Sequence, residues 1–141
     1  MAYDYDKLEN TYAETPDRMF NRIVLKDLET LSQQTLALDD DQYLVLEMII
    51  DNAKKYKRAL KTKSYFPQPL HLKVVGSAGT GKSHLIEIIG QYVELILRSE
   101  GDDPDHPYIV KSAYTGAAAC NIDGATLHNT FAVSYTHLRA H

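Results

Sequence analysis

The sequence predicts an α/β fold in which helices flank a parallel sheet. Two stretches carry that expectation. Leu72-Lys73-Val74-Val75 is a short, apolar, β-branched run that passes through a glycine-rich turn into a helical pattern beginning at Lys82. Tyr108-Ile109-Val110-Lys111-Ser112-Ala113 repeats the arrangement, leading through Thr115 and Gly116 into a shorter helix ending near Ile122. Strand, loop and helix twice in succession imply parallel strands joined by right-handed crossovers.

The remaining elements follow in order. Residues 1–14 alternate acid and tyrosine without a clean period and read as an extended lead-in. Thr15 as N-cap and Pro16 at the first helical position open a helix expected to end near Gln34, with Met19, Phe20, Ile23, Leu28 and Leu31 on one side. A second helix begins at Asp39 or Asp40. Leu46, Ile49, Ile50, Ala53 and Leu60 form its stripe, and a basic cluster on its last turns suits the helix macrodipole. Tyr65-Phe66-Pro67-Gln68-Pro69 breaks the helix and leads into the first strand. From Lys82 to Leu97 the pattern is apolar nearly all round, as in a helix packed on both sides. Ser99 to Pro107 is an acidic, proline-punctuated surface loop.

Composition narrows the classes. The 141 residues suffice for one core, and 15 basic against 19 acidic residues exclude a general polyanion-coating role. The charge is uneven. Residues 1–53 hold four Lys/Arg and twelve Asp/Glu, whereas residues 54–63 hold six basic residues and no acid. One cysteine, Cys120, excludes an internal disulfide framework, reads as a small packed apolar residue and fits a reducing intracellular setting. No apolar run approaches the ~18 residues of a membrane span, and the N-terminus does not read as a targeting peptide. His84, His106, His137 and His141 form no ligand-spaced pairs, so no structural metal is expected.

Gly76-Ser77-Ala78-Gly79-Thr80-Gly81-Lys82-Ser83 reads G-x-x-x-x-G-K-S, the P-loop pattern, placed between strand and helix as that motif requires. Such a loop aims backbone amides and a helix N-terminus at a polyphosphate, and its glycines admit positive φ and close phosphate approach. ATP with Mg²⁺ is the expected cofactor. Residues Gly76 to Ser83, followed by His84, form the expected phosphate cradle. The Lys82 ammonium faces the β- and γ-phosphates, and the Ser83 hydroxyl is the Mg²⁺ ligand.

A second loop narrows the purpose. Thr115-Gly116-Ala117-Ala118-Ala119, then Asn121-Ile122-Asp123-Gly124-Ala125-Thr126-Leu127-His128-Asn129-Thr130-Phe131, resembles the motif Ia–Ic region of superfamily I DNA helicases, in particular the petite-integration-frequency (Pif) and RecD-like branch and its Helitron-type transposon copies. Leu38-Asp39-Asp40-Asp41-Gln42 is similar to the branch's Q motif. The resemblance spans Leu38 to Phe131 and implies a RecA-like P-loop NTPase domain over residues 36–132, after an unassigned lead-in and helix over 1–35. It further implies ATP hydrolysis coupled to translocation on single-stranded DNA and duplex unwinding, in repair, recombination, telomere maintenance or transposition. The address would be nuclear or mitochondrial if the source is eukaryotic. Gln42 would read adenine; on its residues alone it also suits the third position of a capping box, and the two roles can coexist. Thr115, Gly116, Ala117, Thr126, His128 and Asn129 would contact single-stranded DNA. Phe131 reads as core.

The chain departs from the family pattern after Phe131. Hydrolysis needs a Walker B Asp-Glu pair and an arginine. The family places both downstream of the T-L-H motif, and Val133 to His141 does not resemble that continuation. Residues 133–141 are therefore expected to be a non-native or truncated tail. The chain is expected to be an incomplete first part of the motor domain without turnover of its own. Two rival readings are another P-loop ATPase of the AAA+ type and a non-catalytic nucleotide- or strand-binding remnant.

Overall fold

The computed structural model describes residues 23–76 and 81–131, which fall into two compact units, Ile23–Asp102 and the described part of the second, Asp103–Phe131. The first unit is helical: α1 (Leu28–Leu36), α2 (Asp40–Thr62) and α3 (Lys82–Leu97). Its core is Leu31, Leu46 and Ile88, one residue from each helix, with Leu38, Ile50, Ile89 and Tyr92 packed around them.

Helix α2 begins where its sequence places it. Asp39 and Gln42 form a complete capping box, the Asp39 carboxylate accepting the Gln42 amide at 2.8 Å and the Gln42 side chain accepting the Asp39 amide at 3.2 Å. At its far end the Lys57 ammonium donates to the Leu97 carbonyl of α3 at 3.0 Å. The two helices thus run parallel with their starts side by side, and α2 projects beyond α3. That overhang corrects one expectation: Leu60 lies past the cover of α3 and is 53% exposed, while Ala59 is buried.

The first expected helix is also corrected. Thr15, Pro16, Met19 and Phe20 lie outside the described residues; Ile23 to Asp27 is not helical, and α1 starts only at Leu28. The cause is a strap laid on α3. The buried Gln91 side chain accepts from the Lys26 amide at 2.9 Å and donates to the Val24 carbonyl at 2.8 Å, as a neighbouring strand would. Asp27 then opens the helix by accepting the Thr30 hydroxyl at 2.6 Å and the Thr30 amide. The Thr30 hydroxyl, then its amide, hold the Asp27 carboxyl below its usual range. A lowered native value contributes stability above the unfolded pKa that is lost as pH falls through the native one. Acid should therefore loosen the start of α1 in the wild type and have no such effect in Asp27→Asn, followed by the Thr30 amide resonance between pH 6 and 2.

Helix α3 has its expected bounds. Its buried positions include Gln91 and Glu94 as well as Leu85 and Ile88, and Leu95 is exposed, so it is not apolar-packed all round. The expected buried strand at Leu72–Val75 is not formed. The segment is irregular, and Val75 is 82% exposed. A parallel strand exists only through backbone partners alongside it, and the described residues of this unit hold no other strand.

In the second unit only Ser112–Ala113 of the expected strand Tyr108–Ala113 is strand, β1. It pairs in parallel with a strand the sequence analysis did not anticipate, β2 (Ala125–Thr126), in the register Ser112↔Ala125 and Ala113↔Thr126. Between them lies α4 (Gly116–Asn121), and α5 (Leu127–Phe131) follows β2 directly. Helix α4 ends in a Schellman arrangement, Gly124 N–H to Ala119 O at 2.8 Å and Asp123 N–H to Cys120 O at 3.1 Å, with Asp123 left-handed at φ 54. Two burial expectations fail here. Cys120 is exposed, and Phe131 is 69% exposed, because α4 and α5 are single short turns that present few faces to a core.

Candidate nucleotide site and strand-contacting loops

Helix α3 starts at Gly81, whose φ of 78 is left-handed and whose missing Cβ would stand 3.1 Å from the Gln42 side-chain nitrogen. The left-handed φ favours glycine, and an added methyl would press on the Gln42 amide. No side chain caps the helix, so the amides of its first turn point out of the N-terminus with the positive end of the macrodipole. The Lys82 ammonium donates to the carbonyl of Gly76, the first residue of the motif. Ser83 and His84 are exposed on the same turn. Ser77, Ala78, Gly79 and Thr80 lie outside the described residues.

Beside this turn is a cavity of about 210 Å³ lined by Asp39, Gln42, Val45, Val75, Gly76 and Lys82, among others. Residues 39 apart in sequence, Gln42 and Gly81, therefore meet at one spot, where the starts of α2 and α3 lie together. The two halves differ electrostatically. Asp39, Asp40 and Asp41 make the α2 side acidic, while Lys82 and the uncapped amides make the α3 side attractive to anions. The apolar lining from Val45 and Val75 was not anticipated from sequence. Its signal was the i, i+3 spacing of Gln42 and Val45.

The other predicted contacts lie in the second unit. Because β1 and β2 are parallel and in register, the segments following both emerge at the same end of the pair. That end gathers Thr115 and the first residues of α4, Gly116 and Ala117, with Thr126 of β2 and His128 and Asn129 of α5. Thr115 caps α4, its hydroxyl oxygen accepting the Ala118 amide at 3.2 Å, and Thr126 likewise accepts the Asn129 amide at 3.3 Å. Thr115, Gly116, Ala117, His128 and Asn129 are exposed, and Thr126 is half-buried. Among the described residues no helix is long and apolar enough to cross a membrane.

The chain is 30% identical over 102 residues, 72% of its length, to the ATP-dependent DNA helicase PIF4 of Trypanosoma brucei brucei (strain 927/4 GUTat10.1). Over that stretch its sequence is helicase-like. The chain spans about 9% of that protein's length. No protein-family model and no solved structure matches the chain.

Proposed function

We propose that these residues form the leading part of the motor of an ATP-dependent DNA helicase, and that the cavity beside α3 receives the adenine end of ATP. The observation that supports this most is the meeting of Gln42 with Gly81 and Lys82, which places a side-chain amide beside a phosphate-type helix start. An amide carries both donors and acceptors and can pair with the edge of a base. The acidic α2 side disfavours phosphate and the α3 side favours it, which orients the nucleotide with its base on α2 and its phosphates on α3. The residues fit the cofactor: Gly81 opens the helix in a left-handed turn with no side chain over its amides, Lys82 supplies charge, and Ser83 offers a hydroxyl to Mg²⁺. ATP would supply the energy of phosphoryl transfer; Lys82 and the first-turn amides would bind and orient the γ-phosphate.

Under this reading the Thr115–Ala117 and Thr126–Asn129 segments hold single-stranded DNA by its phosphates, with strand translocation and unwinding belonging to the full protein. The test is a fluorescence titration of the purified chain with a fluorescent ATP analogue and Mg²⁺. Saturable binding weakened at least tenfold by Lys82→Ala, and made Mg²⁺-independent by Ser83→Ala, is expected. Equal affinity in all three proteins would exclude the P-loop as the site.

A further inference from the structure

Residues 52–86 contain eight Lys/Arg and no Asp or Glu, in a chain whose formal net charge is −4. Part of this charge has an internal use: Lys57 caps α3, Lys55 pairs with Asp51 at 3.0 Å, and Lys61 lies in the last turn of α2, where the macrodipole favours a cation. That does not account for Lys54 and Arg58, which precede the last turn. Lys54, Arg58 and Lys61, all exposed, recur at i, i+4 and i+7 and so fall within an arc of roughly 60° on α2, a stripe about 10 Å long. The left-handed Lys63 ends the helix, and the chain leaves it with Tyr65, which is 101% exposed, followed by Phe66 stacked on Tyr56 with ring centroids 5.4 Å apart. Four residues of chain keep the Tyr65 Cα within about 14 Å of that of Lys61.

We infer that the Lys54–Arg58–Lys61 stripe and Tyr65 form a contact site for single-stranded nucleic acid, on the helical unit and separate from the Thr115 and Thr126 loops. A cation stripe tracks the phosphate backbone, while an aromatic ring held out in solvent offers a platform to an unpaired base. An acidic protein surface would use the cations and leave the ring without a role. The inference does not depend on nucleotide binding at the P-loop.

The test measures fluorescence anisotropy of labelled dT20 and U20 with the full chain between 20 and 200 mM salt. The triple variant Lys54→Gln/Arg58→Gln/Lys61→Gln should weaken binding about tenfold or more. It should also flatten the log–log salt dependence by about 2, since each single-strand phosphate contact contributes about 0.7. Tyr65→Ala should weaken binding roughly 5- to 100-fold with the salt slope unchanged. Both variants should keep the wild-type affinity for the ATP analogue. Stronger binding of dT20 or of U20 identifies the strand, and either supports the site. Unchanged affinity and slope in the triple variant overturn it, as does wild-type binding to phosphatidylserine vesicles without binding to either oligonucleotide. Loss of oligonucleotide binding in Thr115→Ala/His128→Ala alone, with the triple variant unaffected, overturns this site and leaves the proposed helicase loops standing.

Discussion

Arg98→Ala is expected to destabilise the helical unit by about 3–5 kcal/mol, the usual loss when one partner of a buried ion pair is removed. The Glu94 side chain is 1% exposed, and its carboxylate receives the Arg98 guanidinium at 2.9 Å. The same guanidinium donates to the Ile23 carbonyl at 3.3 Å and so ties the Ile23–Asp27 strap to the end of α3. Alanine removes the guanidinium that meets this buried carboxylate and, with it, the tie to Ile23. The double variant Glu94→Gln/Arg98→Met removes the charge together with its partner and should lose markedly less. Urea unfolding followed by circular dichroism compares them. Equal losses would show that the strap contact and not the buried charge carries the effect.

Gly124→Ala is expected to break the β1–β2 pair. A Cβ at this position would stand 2.4 Å from the Lys111 carbonyl oxygen and 2.8 Å from its carbon, and neither backbone atom can move aside without disturbing the Ala125 N–H to Lys111 O bond of 3.0 Å. Overpacking of this kind costs about 1–3 kcal/mol, and here it falls on a sheet of two strands. The readout is hydrogen exchange at the Ala125 amide, which should accelerate at least tenfold. Gly116→Ala, with open space around the added methyl, is the control and should leave that amide protected. Protection of Ala125 in Gly124→Ala would mean the close approach is not what specifies this glycine.

What the sequence made legible was local. Asp39 and Gln42 declare the start of α2 because both halves of the capping box lie within four residues, and Gly81-Lys82-Ser83 marks the start of α3 in the same way. Thr115 caps α4 by an equally short reach. The strap at Ile23–Asp27 was illegible because its partner, Gln91, lies 65 residues from Lys26. Leu72–Val75 carries a strand pattern, but a strand is a property of neighbours and not of its own side chains. Ala125-Thr126 is too short to show any period, and its pairing depends on the approach that Gly124 permits. Of the candidate site, Gly81, Lys82 and Ser83 were readable from the P-loop spacing. The acidic and apolar lining from α2 was not, because it depends on α2 and α3 starting side by side.

Competition of ATP against GTP for the fluorescent analogue decides whether Gln42 and the Gly81–Lys82 turn form one nucleotide site. Gln42→Glu keeps an acceptor for the Asp39 amide and hence the capping box, but removes the side-chain NH₂. The wild type should prefer ATP, Gln42→Glu should bind both nucleotides with that preference reduced at least tenfold, and Lys82→Ala should lose affinity for both. An unchanged ATP preference in Gln42→Glu would contradict the claim and separate Gln42 from the nucleotide.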